Sequence, residues 1–359
     1  MASRPVPSRR PVWLDVGRIP SLDGMRAIAI LMVLLTHACQ TRRFPVTSEA
    51  EPWVKEFLIT FASFGVEVFF VLSGFLITVL MMREIDRTDK LDLGAFYRRR
   101  AYRILPAYVA LLIVVAVLQL CDLTSLRAID WLAALTYTIN FLERPAWEIG
   151  HAWSLSIEEH FYLLWPMVVV LVPAKRRVPA LLLCLANCFL LRWYVLLFHP
   201  EWTSMAELWT FTRLDSIATG CLLAVLAQET GWRNFLDRLS RYWPVALGLL
   251  TASLFFGHIS TKLAVGCGYT LNAACLGLLL WTAVQKNPNW LNTNILGSIG
   301  LGSYSLYLWQ QLFLNPYSKS WWTAFPENIC LTMVVAWLSY RLIETPFLKL
   351  KDRAKRAGA

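Results

Sequence analysis

The chain repeatedly stays apolar for the thickness of a bilayer. Between Phe57 and Met82 a run of 26 residues carries one ionisable side chain, Glu67. A helix needs about 20 apolar residues to cross the hydrocarbon layer, and further runs of that length recur to the end of the chain. Hydrophobic residues make up 57% of the sequence and charged residues only 16%, where soluble domains carry about 25% charged. This pattern predicts an all-α, polytopic transmembrane helix bundle. One membrane domain, 21–345, is expected between a Pro/Arg-rich cytoplasmic tail at 1–20 and a basic cytoplasmic tail at 346–359.

The formal charge of +10 argues against nucleic acid as partner, because the basic residues fall in short loops between apolar runs. Segment 130–142 is apolar but too short for a comfortable span. If it crossed as well as Trp153–Val172, Lys175, Arg176 and Arg177 would lie outside and every later basic loop would be inverted. A re-entrant or interfacial 130–142 restores the signs. The expected crossings are then about 21–39, 57–82, 104–121, 153–172, 178–198, 209–228, 242–258, 264–284, 297–315 and 324–343. In this ten-span arrangement both termini are cytoplasmic, with 23 Lys and Arg inside and seven outside. This is the asymmetry expected of a multi-pass membrane protein. The first helix reads as an uncleaved signal anchor, since no small-x-small site follows it. The eight cysteines sit in or beside apolar runs without CxxC or Cys/His spacing, so neither a disulfide framework nor a metal site is expected.

Ionisable residues inside spans are costly and commonly line a site. Arg26 and His37 are eleven residues apart on the first helix, so they share a face about 16 Å apart along the axis. Glu67, Glu158, Glu159, Arg213 and Asp215 complete the set. His37 and the four carboxylates fall towards the outer half of the ten-span arrangement. A histidine near carboxylates suits general base chemistry. Buried pairs such as Arg213 with Asp215, holding helices together, are the competing reading. Arg98, Arg99, Arg100 and Arg103 crowd the start of the third span. Guanidinium forks grip phosphates, although such a cluster also anchors topology and attracts anionic lipid. Trp153 and Glu158 lie in the block 151–166, which otherwise reads as a capped interfacial helix. Ser73 precedes Gly74 in mid-span, where small residues usually serve close packing and less often nucleophilic chemistry.

Taken together, these stretches resemble the acyltransferase 3 family of bacterial integral-membrane O-acyltransferases. The resemblance runs from Ile19 to about Asp352. It rests on IPSLDGMRAIAILMVLLTH with Arg26 and His37, on FGVEVFFVLSGFLI at 64–77, and on FYRRRAYRILPAY with Arg100 and Arg103. WSLSIEEHFYLLWP at 153–166, RLDSIATGCLLA, YSLYLW and SYRLIETPF follow in order. The resemblance implies transfer of an acyl group, acetyl being the common case, from cytoplasmic acyl-CoA to a hydroxyl of a carbohydrate or similar acceptor. It implies no resident cofactor. Arg26 and His37 become the expected catalytic pair and Arg100 and Arg103 donor-facing groups. Glu158 is assigned to the catalytic or acceptor network, orienting His37 or the acceptor. His37 would either take the hydroxyl proton or carry the acyl group, and both remain open.

Two departures from the family pattern stand out. Gln310 and Gln311 follow YSLYLW where many members have histidine, and a neutral amide cannot shuttle a proton. No SGNH-type hydrolase domain is attached, so the expectation is a stand-alone enzyme or one with a separate extracytoplasmic partner protein. A proton-coupled transporter or flippase and a lipid-binding scaffold are the rival readings.

Overall fold

The structure, a computed structural model, describes residues 19–45 and 52–350. Most of the expected tails at 1–20 and 346–359 lies outside the described residues. The main helices are α1 (Pro20–Cys39), α2 (Pro52–Thr88), α3 (Leu93–Leu120), α4 (Ala128–Thr136), α5 (Ala152–Leu171) and α6 (Ala174–Phe198). They continue as α7 (Thr210–Leu226), α8 (Thr230–Leu239), α9 (Trp243–Ser253) and α10 (Tyr269–Lys286), then α11 (Asn294–Leu301), α12 (Ser303–Phe313) and α13 (Glu327–Ser339). No strand occurs among the described residues. Five helical stretches are long and apolar enough to cross a membrane: Pro20–Cys39, Thr60–Thr88, Leu93–Leu120, Ala174–Phe198 and Thr261–Lys286. Of the other segments expected to cross, α5 is as long as α1 at 20 residues but carries Glu158 and Glu159, and the rest are shorter or broken, α7 having 17 residues and α9 having 11.

The arginine block is helical, not a loop before a span. Asp92 caps α3 by accepting a hydrogen bond from the Ala95 amide at 2.9 Å, which satisfies an orphan donor of the first turn. The third helix therefore begins at Leu93, about three turns earlier than the expected boundary at 104. Arg98 to Arg103 thus acquire fixed directions around a helix axis. Across 130–142 the chain forms most of the nine-residue α4, which stops where Tyr137 turns left-handed at φ 55°, and a short 3-10 helix at Ile139–Phe141. Nine residues reach about 14 Å, too short to cross. Asp130 ties this segment down. It accepts two side-chain bonds from Arg127 at 2.8 Å and one from the Ala146 amide at 3.3 Å. The Arg127 guanidinium holds the Asp130 carboxyl below the usual carboxylate range.

The centre of the bundle is α2. Other helices cover 78% of its apolar window, against 28% for α6. On α6, Leu183, Leu190 and Leu197 remain 56–71% exposed; beside lipid such leucines lose nothing by facing outward. Helices α2 and α7 touch backbone to backbone. A Cβ on Gly74 would collide with the Ile217 carbonyl, and one on Gly220 with the Val71 carbonyl. Close packing, expected for the Ser73–Gly74 pair, is thus what Gly74 provides. Gly220→Val is expected to cost about 1–3 kcal/mol, read as a lowered melting temperature of the detergent-solubilised protein.

One expected buried pair is different. Arg213 does not bind Asp215, because residues two apart on a helix face apart. Asp215 instead pairs with Arg192 of α6 at 2.8 Å, both side chains fully buried. Arg192 also donates to the Thr212 carbonyl and to Thr270 Oγ1 of α10. This network joins α6, α7 and α10 and leaves Arg213 free to face elsewhere.

Candidate functional site

Two cavities lie along α1. The first, about 90 Å³, is lined by Arg26 of α1, Ser73 of α2, Arg100 and Arg103 of α3, Glu158 and Tyr162 of α5, and Tyr304 and Tyr307 of α12. Three guanidinium groups face one carboxylate here, so the lining favours an anion. Both oxygens of Glu158 are engaged: Ser73 Oγ donates to Oε1 at 2.8 Å and Tyr162 Oη to Oε2 at 3.3 Å. Tyr162 is four residues from Glu158, hence on the same helix face. Its ring also supports Arg100, whose guanidinium carbon stands 4.9 Å from the ring centroid. That cation–π contact fixes a long side chain without using up its N–H donors.

The second cavity, about 280 Å³, is lined by His37, Ser63, His151, Trp153, Glu207, Arg213, Tyr269 and Gln311 among others. His37 Nδ1 lies 3.0 Å from Gln310 Oε1 of α12, and the Trp147 ring meets the imidazole edge-on at a centroid distance of 6.0 Å. Arg213 lies flat on Tyr269, its guanidinium carbon 3.6 Å from the ring centroid. Its Nη2 is 3.8 Å from Glu67 Oε1, and its Nε and Nη1 have no hydrogen-bond partner among the described residues. Glu207 accepts from Tyr269 Oη at 2.8 Å. A buried polar wall with spare donors, flanked by Trp153 and Tyr269, matches the surfaces that hold small polar ligands.

Val66 and Tyr307 line both cavities and form the wall between them. Tyr307 is held there by its hydroxyl, which donates to the His151 carbonyl at 2.6 Å and lies 2.7 Å from Ser154 Oγ. The shared face of Arg26 and His37 thus runs past both chambers, with Arg26 in one and His37 in the other.

The sequence-based site is therefore divided. Arg26, Ser73, Arg100, Arg103 and Glu158 come together in the first cavity; His37, Trp153 and Arg213 come together in the second. Glu67 stands behind Arg213, and Asp215 is closed off by Arg192. The expected convergence of His37 with Glu158 does not occur. Glu158 lies nearly two turns into α5 and faces Ser73, while the side chain hydrogen-bonded to His37 is Gln310. Arg98 is exposed, and Arg99 turns to Glu84 at 2.6 Å. Neither lines the first cavity, because successive positions on a helix diverge by about 100°. Glu159 lines neither cavity.

Several side chains at the site carried no distinguishing sequence signal: Tyr307, Glu207, Tyr269 and Trp147 occur among many aromatics. Two were findable. Tyr162 shares the i, i+4 face of Glu158, and Glu344 is a lone carboxylate in the apolar stretch SYRLIETPF. Glu344 ends a π-helical turn at Tyr340–Glu344, is only 2% exposed, and accepts from Ser305 Oγ at 3.0 Å. It stands within electrostatic reach of Arg26 and Arg103, so it steadies the cationic wall without lining the cavity.

The described residues thus form a helical bundle with a cationic cavity beside a histidine-bearing one. Residues 19–343 match the acyltransferase domain family, and the chain belongs to that family. Among its relatives are the O-acetyltransferase OatA of Staphylococcus aureus strain NCTC 8325, 30% identical over 369 residues, and a putative O-acetyltransferase of Staphylococcus aureus strain COL, 30% identical over 365 residues. Each match takes in 92% of this chain, but the chain spans only 57% of the length of either relative. No solved structure matches the chain significantly.

Proposed function

We propose that the chain is a membrane-embedded O-acyltransferase that takes an acyl group, acetyl in the simplest case, from cytoplasmic acyl-CoA to a hydroxyl of a carbohydrate or related acceptor. The observation that carries this is the pair of cavities on one helix, cationic at Arg26, Arg100 and Arg103 and basic at His37, with Tyr307 between. The charge asymmetry of the loops supports ten crossings of a bacterial inner membrane, with both termini and the arginine chamber towards the cytoplasm. CoA phosphates would be gripped by Arg100 and Arg103 through charge-assisted hydrogen bonds, with the thioester end of the pantetheine arm directed at the wall formed by Tyr307. The acceptor would occupy the larger chamber against Trp153, Arg213 and Tyr269.

In the transfer step His37 takes the proton of the acceptor hydroxyl as its oxygen attacks the thioester carbon. The C–S bond then breaks, CoA leaves as thiolate, and the proton on His37 is returned to sulfur or to solvent. Glu158 serves the donor side, ordering Ser73 and Tyr162 beside Arg100. The relatives' printed activity, O-acetyl transfer, fits this scheme. A separate extracytoplasmic protein is the partner proposed to complete delivery to the acceptor.

The test is the purified chain in lipid vesicles supplied with acetyl-CoA labelled in the acetyl group. Release of CoA thiol together with labelled ester on cell-envelope glycans, seen by mass spectrometry, is the expected result. Glycan or lipid movement with no CoA release would replace this reading with that of a transporter.

A further inference from the structure

His37 meets a carbonyl oxygen on the side away from its cavity. Gln310 is fully buried, does not line either cavity, and presents Oε1 to His37 Nδ1 at 3.0 Å. The amide nitrogen of Gln310 has no hydrogen-bond partner among the described residues. An acceptor oxygen against Nδ1 requires a proton on Nδ1. In neutral imidazole the proton then cannot sit on Nε2, whose lone pair is left for chemistry. The opposite amide orientation would place N–H against an unprotonated Nδ1, so the orientation of the Gln310 amide and the tautomer of His37 stand or fall together.

We propose that Gln310 is the positioning residue of His37, holding the imidazole in the Nδ1–H tautomer so that Nε2 faces the acceptor chamber as the base. This rests on the reading of His37 as general base. An amide in this place orients the ring as a carboxylate would, but stabilises imidazolium far less. A neutral imidazole with its Nε2 lone pair free suits one round of proton removal from a hydroxyl. No proton passes to Gln310, so the proton leaves through the cavity side of the ring.

The titratable and charged groups around His37 are Tyr307 on α12, Arg213 on α7, Tyr269 on α10, and His151 and Glu207 on the segments before α5 and α7. All of them remain in Gln310 variants, so a change in the pH profile confined to those variants reports on the Gln310–His37 contact.

Two substitutions and one spectrum test the proposal. Gln310→Met keeps the volume and removes the acceptor. Acyl transfer is expected to fall about 10–100-fold in kcat, with the donor KM within about twofold of the unaltered protein and the acid limb of the profile moved to lower pH. Gln310→Glu restores an acceptor with charge. It is expected to retain kcat near the optimum while the acid limb moves up by about one pH unit or more. Nitrogen-15 spectra of histidine-labelled protein, with His37 assigned by its loss in His37→Ala, should show a protonated Nδ1 and an unprotonated Nε2. An Nε2–H tautomer in the unaltered protein overturns the proposal without requiring any variant to fold. Unchanged kcat and pH profile in a folded Gln310→Met protein also overturn it. If His37→Ala itself transfers acyl groups at the normal rate, the general-base reading fails first, which separates the two failures.

Discussion

His37→Ala is expected to lower the rate of acyl transfer by about 10²–10⁴-fold, the usual contribution of a positioned general base, with little change in the donor KM. The separation of effects follows from the geometry. His37 lines only the second cavity, whereas the groups proposed to hold the donor line the first. Removing the imidazole enlarges a chamber that is already polar and leaves Gln310 without its side-chain partner. Folding should therefore suffer by no more than about 1–3 kcal/mol, the cost of one unsatisfied buried group. Melting temperature and membrane insertion check that cost, and CoA-thiol release checks the rate. A folded variant acylating at the normal rate would remove His37 from the chemistry.

Arg100→Ala and Arg103→Ala should act on the other chamber. Each removes a guanidinium from the cationic lining, and a charge-assisted hydrogen bond is worth about 1.5–3 kcal/mol. At 1.4 kcal/mol per tenfold, each change should raise the donor KM by about 10–100-fold, leaving kcat at saturating donor much less affected. The neighbouring arginines supply the control. Arg98 is exposed and Arg99 is spent on Glu84. Arg98→Ala and Arg99→Ala should leave the donor KM within about twofold, the partly exposed Arg99–Glu84 pair contributing under about 1 kcal/mol to stability. Equal KM effects from all four arginines would mean that the cluster acts through bulk charge at the membrane surface. Arg100→Lys is a finer probe. It keeps the charge but loses the planar group stacked on Tyr162, so an intermediate KM is expected.

The sequence was most informative where a property depends on residue order alone. The helical class, the apolar runs and the segment too short to cross follow from run lengths, whereas the left-handed Tyr137 and the Asp130 contacts that shape that segment appeared only in the structure. The shared face of Arg26 and His37 follows from helix geometry. Boundaries were less legible: the arginine block lengthens α3 to Leu93 because Asp92 caps it, and charge alone gave no reason to continue the helix.

The pairing of ionisable groups was decided only by tertiary structure. Helix spacing already excludes Arg213 as the partner of Asp215, but only helix crossing selected Arg192. Glu158 and His37 look like partners in a list of buried charges, yet α12 inserts Tyr307 between the two chambers and brings Gln310 to the histidine. The physical reason is that side-chain direction on one helix repeats every 3.6 residues and can be read from spacing. Which neighbour occupies that direction depends on how separate helices pack. Between α2 and α7 that packing is close because Gly74 meets Ile217 and Gly220 meets Val71. The chain's order fixed which residues could share a face; the packing of α12 against α1, α2 and α5 fixed what those faces meet.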